Sequence, residues 1–307
     1  MGKRIAVITP ILHLEGVNEL IQSKGKVFML ELGNKDEVRD LLINESIDTI
    51  FCNPNQQTYK IDKDLLDGTR VSIVNSASTG LNHIDLNYCE SMGIEIQCHK
   101  NDLELINDLP STSELAFGLL LDLMRNITVS NNITKKEKNW DYLPFVGQQM
   151  KGFKVGIVGY GRLGKMMTKY CKAFGAKVYI YDPYSNESNV HTLEELFDIC
   201  DAISLHVHVT DETKYMINYD LLSRNVKYLV NTSRGEIVNE HDVIKALHSN
   251  KLRGYASDVI ENEFDNISKS PFFYLENSKL NCIFTPHIGG MTIQGQTKAY
   301  KWSIDKL

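Results

Sequence analysis

The sequence predicts an α/β protein built from two doubly wound parallel-sheet domains, and three observations carry that prediction. Apolar runs of strand length alternate with helix-period segments from end to end of the 307-residue chain, the pattern of parallel strands joined by crossover helices. That length suits two domains of roughly 100–200 residues each. A break falls near Asp102–Pro110, where Pro110 disfavours helix at Leu109.

In the first third, Arg4–Thr9, Lys26–Leu30, Thr49–Asn53, Val71–Ala77 and Ile94–Cys98 read as strands. Val17–Lys24, Lys35–Ile43 and Leu86–Met92 read as helices between them. After the break, Ser111 and Glu114 form a capping-box pattern ahead of the apolar run Leu115–Met124, which predicts a long, largely buried helix. The more polar stretch 126–151, with Trp140, reads as a surface helix and loop. Further strands are expected at Lys154–Val158, Lys177–Tyr181, Ala202–His206, Lys227–Asn231, Gly254–Ser257 and Asn281–Thr285. Helices are expected at Arg162–Phe174, Leu193–Ile199 (with a second capping box, Thr192 and Glu195), Tyr219–Ser223 and Glu240–Ser249. The last 17 residues, Met291–Leu307, read as a helix able to pack back on the first domain. The expected division is 1–106 plus 291–307 for the first domain and 107–290 for the second.

Composition excludes several classes. Hydrophobic residues are 42% and charged residues 23%, ordinary for a globular protein with a full core. A net charge of −6 with no long run of one sign argues against nucleic acid or an anionic membrane as partner. No apolar stretch reaches the ~18 residues of a membrane span, and the first ten residues lack the features of a signal peptide. None of the six cysteines sits in a C-x-x-C pair. They read as buried, reduced thiols of a cytoplasmic protein, with no metal site.

Gly159-Tyr-Gly161-Arg-Leu-Gly164 is a G-x-G-x-x-G turn between an apolar strand and a helix. In a dinucleotide site the first glycine permits the tight turn, the second lets backbone approach the pyrophosphate, and the third lets helix and strand pack closely. The helix N-terminus then meets the phosphates. Asp182 ends the next strand, eighteen positions beyond Gly164, and no Lys or Arg occurs from Pro183 to Val190. This suits the ribose hydroxyls of NAD and leaves a 2′-phosphate unmatched.

Three later segments each follow a strand: Asn231-Thr-Ser-Arg234-Gly235-Glu-Ile-Val-Asn239, Asp258-Val-Ile-Glu261-Asn-Glu263, and Thr285-Pro-His287-Ile-Gly289-Gly290. Ligands of open α/β sheets bind beyond the carboxyl ends of strands, so arginine, carboxylate and histidine can converge at the edge that holds the glycine turn.

With these motifs and Ser78-Thr-Gly-Leu-Asn-His-Ile-Asp85 in the first domain, the sequence resembles the D-isomer-specific 2-hydroxyacid dehydrogenases along nearly its whole length. The resemblance implies a Rossmann NAD-binding domain, a smaller flavodoxin-like substrate domain, and a homodimer joined through the NAD domains. It implies hydride transfer between NAD(H) and a small 2-keto acid or D-2-hydroxy acid, with the substrate between the domains. Arg234, Glu263 and His287 match the catalytic trio, Glu263 being preferred to Glu261 as the sixth residue of D-V-x-x-x-E. His287 is the expected general acid, Glu263 its orienting partner, and Arg234 the clamp on the substrate carboxylate. Ser78, Thr79 and Gly80 are expected to hold the same carboxylate. The positions assigned to NAD are Gly159, Tyr160, Gly161, Arg162, Leu163, Gly164, Asp182, His206, Thr213, Thr232, Ser233, Asp258, His287 and Gly289, with Asp258 near the nicotinamide amide.

The chain departs from the family pattern at Phe264, where proline usually follows the glutamate, and at His208, where proline usually ends H-V-P. His83, His206 and His208 read as ordinary polar residues rather than catalysts. Asn53 and Asn55 serve equally as turn residues or as cleft lining. The loops Asn53–Thr58 and Ser76–Asn82 contain no Lys or Arg, which predicts an unphosphorylated substrate; Lys100 is the nearby cation that could alter this. An NAD-sensing module that regulates a partner is the alternative reading. Formate oxidation is disfavoured, because that branch of the family carries glutamine where Glu263 stands.

Overall fold

The computed structural model describes residues 2–54, 59–138, 140–263, 267–275 and 280–307. The chain forms two compact units, Met1–Leu109 with Gly290–Leu307, and Pro110–Gly289.

The first unit holds strands β1 (Lys3–Val7), β2 (Gly25–Met29), β3 (Thr49–Cys52), β4 (Ile73–Ser76) and β5 (Glu95–Gln97). They pair in parallel in the order β2-β1-β3-β4-β5, the flavodoxin-like arrangement. Both faces are covered. Val38, Leu42, Ile47, Ile50 and Leu65 pack on one side, and Ile5, Val7, Ile21 and Phe51 on the other. The second face is closed by the C-terminal helix Ile293–Asp305, which buries Ala299, Tyr300 and Ile304. Tyr300 meets Phe51 edge-on at 5.5 Å between ring centres, and the Asn75 amide donates to Ser303 O at 2.9 Å. Burial of each large side chain there contributes about 1.5–3 kcal/mol.

The second unit holds β6 (Lys154–Val158), β7 (Lys177–Tyr181), β8 (Ala202–Leu205), β9 (Tyr228–Asn231), β10 (Gly254–Ser257) and β11 (Asn281–Phe284). All pair in parallel, in the order β11-β10-β9-β8-β6-β7. All four residues of each of β8, β9 and β10 are buried, which suits their largely apolar character. The strand order reverses between β6 and β8, so the topological switch point lies beside the glycine turn.

Several local expectations change. The long helix spans Ser111–Arg125 with Pro110 as its N-cap, and no side chain caps it. Pro110 lacks an N–H, so its carbonyl starts the helix by accepting from Ser113 and Glu114; Ser111 lies inside the first turn and the Ser111–Glu114 box does not form. Thr192 does cap Glu195 N, but the Glu195 carboxylate accepts from His191 N. The reciprocal box forms instead at Asn34 and Glu37. Two short helices, Lys63–Leu66 and Leu103–Asn107, occupy stretches with no expected element. Within 126–151, the helix Ile127–Glu137 buries no residue, and Trp140 is 92% exposed. Four of the six cysteines are buried, and Cys98 and Cys282 are half-buried. Among the described residues no helix is long and apolar enough to cross a membrane. Phe264, Asn55 and the rest of the loop to Thr58 lie outside the described residues.

Candidate active site

The three glycines of the turn meet different surroundings. Gly159 has φ +88°, and a Cβ there would lie 2.5 Å from His206 O. At Gly164 a Cβ would lie 2.1 Å from Gly159 O, whereas at Gly161 it would touch nothing within 4 Å. Gly161 therefore faces open space at the N-terminus of the helix Arg162–Ala173. The first N–H groups of a helix have no partner within it, so this is the cradle a pyrophosphate requires. Burial lowers the affinity of the half-buried Arg162 guanidinium for its proton, which favours an anionic neighbour. Leu163 is tied back through its carbonyl, which accepts from Ser113 Oγ at 3.0 Å, and the Tyr160 ring carries Lys165 Nζ at 5.3 Å from its centre.

Asp182 directly follows β7 and locks this turn. Its carboxylate accepts from Tyr160 N at 2.6 Å and Tyr184 N at 2.9 Å. At the next strand end, His206 Nε2 pairs with Ser204 Oγ at 2.9 Å, and burial pushes the ring down to about 4. His206 Nδ1 and Thr232 Oγ1 are buried without a partner, at the ends of β8 and β9. Buried polar atoms demand partners, and two orphans beside a glycine cradle fit a polar ligand along this edge. Ser233 Oγ donates to Leu205 O at 2.7 Å. Thr213 sits on the turn after Val209, its hydroxyl donating to His208 O at 2.6 Å.

His287 Nδ1 lies 3.0 Å from both carboxylate oxygens of Glu263. The two side chains are 26% and 15% exposed. Glu261 does not take this place: its N–H donates to Glu240 Oε1 at 2.9 Å, and its carboxylate accepts from the Tyr215 hydroxyl. His287 has φ +54°, a conformation that costs a non-glycine residue on the order of 1–3 kcal/mol and needs surrounding support. Asp258 supplies it. Its carbonyl accepts from His287 N at 2.9 Å, and its carboxylate accepts from Thr285 Oγ1, Ile288 N and Gly289 N at 2.5, 2.8 and 2.7 Å. Asp258 is thus committed to holding the histidine loop, a role that its expected place near a nicotinamide amide did not foretell.

Arg234 follows β9, and its Nη1 donates to Ser233 O at 2.6 Å. Gly235 brings this turn against the glutamate loop, since a Cβ there would lie 2.0 Å from Ile260 C. Glu240, which no motif flagged, is 5% exposed, and burial raises its carboxyl above the usual range. The turn of Arg234 and the loops of Glu263 and His287 are therefore held as one piece.

Ser78, Thr79 and Gly80 follow β4 in the first unit. The Ser78 hydroxyl donates to Gly80 O at 2.7 Å, and His99 N donates to Ser78 O at 2.9 Å. Asn53 is buried, and its amide donates to Ala77 O at 3.3 Å.

Residues 117–289 match the profile of the D-isomer specific 2-hydroxyacid dehydrogenase, NAD binding domain. The chain belongs to this family. It is 34% identical to a glyoxylate reductase of Thermococcus litoralis over 76% of its own length and 72% of that protein's. It is 32% identical to a D-3-phosphoglycerate dehydrogenase of Bacillus subtilis over 77% of its length, and it spans only 45% of that longer relative. A solved structure, the pyruvate reductase of Chlamydomonas reinhardtii, shares the fold with a TM-score of 0.82 at 22% identity, covering 99% of this chain and 95% of that one. Membership makes the chain an NAD-dependent oxidoreductase of the class that acts on 2-hydroxy and 2-keto acids.

Proposed function

We propose that this dehydrogenase reduces a small, unphosphorylated 2-keto acid to its D-2-hydroxy acid, with His287 as the proton donor, and that it works as a cytoplasmic homodimer. The observation that carries the catalytic reading is His287 Nδ1 at 3.0 Å from both oxygens of Glu263. A carboxylate there fixes the ring plane, and the pairing at Nδ1 assigns Nε2 to proton transfer.

NADH, when bound, supplies the hydride. Gly161 and the N-terminus of its helix would hold the pyrophosphate, and Asp182 would meet the ribose. His206, Thr232, Ser233 and Gly289 lie along the same edge. His287 would donate its Nε2 proton to the carbonyl oxygen as negative charge develops there during reduction. Arg234 presents a planar fork to the substrate carboxylate. In the first unit the Ser78–Gly80 loop is suited to a carboxylate through the backbone N–H groups of Thr79 and Gly80, the Ser78 N–H being donated to Ser76 O at 2.8 Å.

The sequence of the two candidate loops of the first unit supports the unphosphorylated substrate. A dianion leaving water must regain its solvation through charge-assisted hydrogen bonds. Neither Asn53–Thr58 nor Ser76–Asn82 contains Lys or Arg, and Lys100 is exposed. The test compares kcat/KM for hydroxypyruvate and its phosphorylated counterpart with NADH. A preference for the unphosphorylated acid is expected; a clear preference for the phosphorylated one overturns this assignment.

A further inference from the structure

Behind the Ser78–Gly80 loop lies a buried chain of hydrogen bonds with no place in the reaction described above. His83 is 0% exposed. Its Nε2 lies 3.1 Å from Ser76 Oγ and 3.8 Å from Cys52 Sγ, and Ser76 Oγ lies 2.9 Å from Ser78 Oγ. Ser78 Oγ donates to Gly80 O at 2.7 Å.

The direction of every bond in this chain follows from counting protons. Ser78 has one hydroxyl proton and spends it on Gly80 O, so it accepts from Ser76. Ser76 then has no proton left for the ring, so His83 Nε2–H donates to Ser76. Burial pushes the imidazole down to about 4, so the ring is neutral near pH 7 and carries one N–H. The tautomer is thereby set, and Nδ1 is left as a buried acceptor without a partner. A lone pair is the cheaper atom to orphan.

The far end of the chain is a peptide plane. In a trans peptide the C=O and N–H point in opposite directions. With Gly80 O turned toward Ser78 Oγ, Leu81 N–H points the other way. His99 N likewise fixes Ser78 O at 2.9 Å, which turns Thr79 N–H outward from that bond. Neither Thr79 N–H nor Leu81 N–H has a hydrogen-bond partner among the described residues.

We propose that His83 is a positioning residue for substrate binding: its Nε2–H polarises a one-way relay through Ser76 and Ser78 that holds the Gly80 peptide so that the loop's free N–H groups face the substrate carboxylate. The inference rests on the reading of Ser78–Gly80 as a carboxylate-binding loop. Its distinctive content is that a residue with no substrate contact sets KM. Hydrogen bonds in series strengthen one another, so cutting any link loosens the same peptide.

The test is steady-state kinetics with NADH and the best keto acid on His83→Leu, Ser76→Ala, Ser78→Ala and the double variant His83→Leu/Ser78→Ala, with NADH affinity measured separately. Each single change is expected to raise the keto-acid KM about tenfold, the loss of one hydrogen bond. The double variant should be no worse than either single, and NADH affinity should stay unchanged. His83→Gln, which keeps a donor, should recover most of the wild-type KM. If Ser78→Ala raises KM while His83→Leu and Ser76→Ala do not, the relay is refuted and the loop reading stands. If no variant moves KM, the loop reading itself fails. If His83→Leu and Ser78→Ala add, they act separately and His83 does not work through Ser78. Should His83→Leu fail to fold, Ser76→Ala cuts the same chain at its middle link and decides the matter.

Discussion

His287 is held by two carboxylates with different tasks. Glu263 meets the ring, and Asp258 meets the backbone that forces the ring into place. Glu263→Gln leaves the loop standing and removes only the charge beside Nδ1. It should lower kcat for reduction on the order of 10²-fold while leaving NADH affinity unchanged, as stopped-flow binding and turnover would show; unaltered turnover would remove Glu263 from the mechanism. Asp182 carries a second residue-scale prediction. With its carboxylate on the glycine turn, a 2′-phosphate would meet like charge, so NADH should be preferred to NADPH. Asp182→Ala should narrow the gap, chiefly through cofactor KM. The choice of Glu263 over Glu261 was legible only through the family resemblance, whose D-V-x-x-x-E motif has its acid in sixth place. The work of Asp258, Gly235 and Glu240 was not, because each depends on a backbone approach between segments 20 or more residues apart, and no local pattern encodes such an approach.

At the scale of elements, two glycines of one turn make opposite predictions. Gly161→Ala adds a methyl to open space at φ −71°, so the melting temperature should hardly change. If the pyrophosphate lies there, NADH affinity should fall at least about tenfold, the equivalent of roughly 1.4 kcal/mol. Gly164→Ala drives a methyl into Gly159 O and should cost about 1–3 kcal/mol in denaturant unfolding, or more. Equal effects of the two changes would show that the turn is a packing device only. The central strands were legible because parallel strands buried on both faces are largely apolar. The helices Lys63–Leu66 and Leu103–Asn107 were not, being too short for a 3.6-residue period to show. The start of the helix Ser111–Arg125 was misread because Ser111 and Glu114 have capping-box spacing, while Pro110 begins the helix one residue earlier.

At the scale of the molecule, the buried His83 and the half-buried His206 tie stability to pH. Burial lowers His83 and His206 from 6.5 to about 4. Above pH 6.5 neither state binds the proton, and the folded state keeps its full stability. Between 6.5 and 4 the unfolded chain takes up protons that the folded chain refuses, so stability falls with pH. For His83 the loss is on the order of 3 kcal/mol, and His206 adds in the same direction. Urea unfolding at pH 7 and pH 5 should show the decline, and His83→Gln should reduce it; an identical decline would mean that His83 titrates normally in the fold. The central claim, that His287 donates the proton in NADH-dependent reduction of a small keto acid, is tested most directly by NADH oxidation with glyoxylate, hydroxypyruvate and pyruvate on the wild type and His287→Ala. The wild type should turn over at least one of these acids, and the variant should bind NADH normally yet lose about 10²–10⁴ in kcat. Near-normal turnover by the variant, or no oxidation of NADH by the wild type with any of the three, would contradict it.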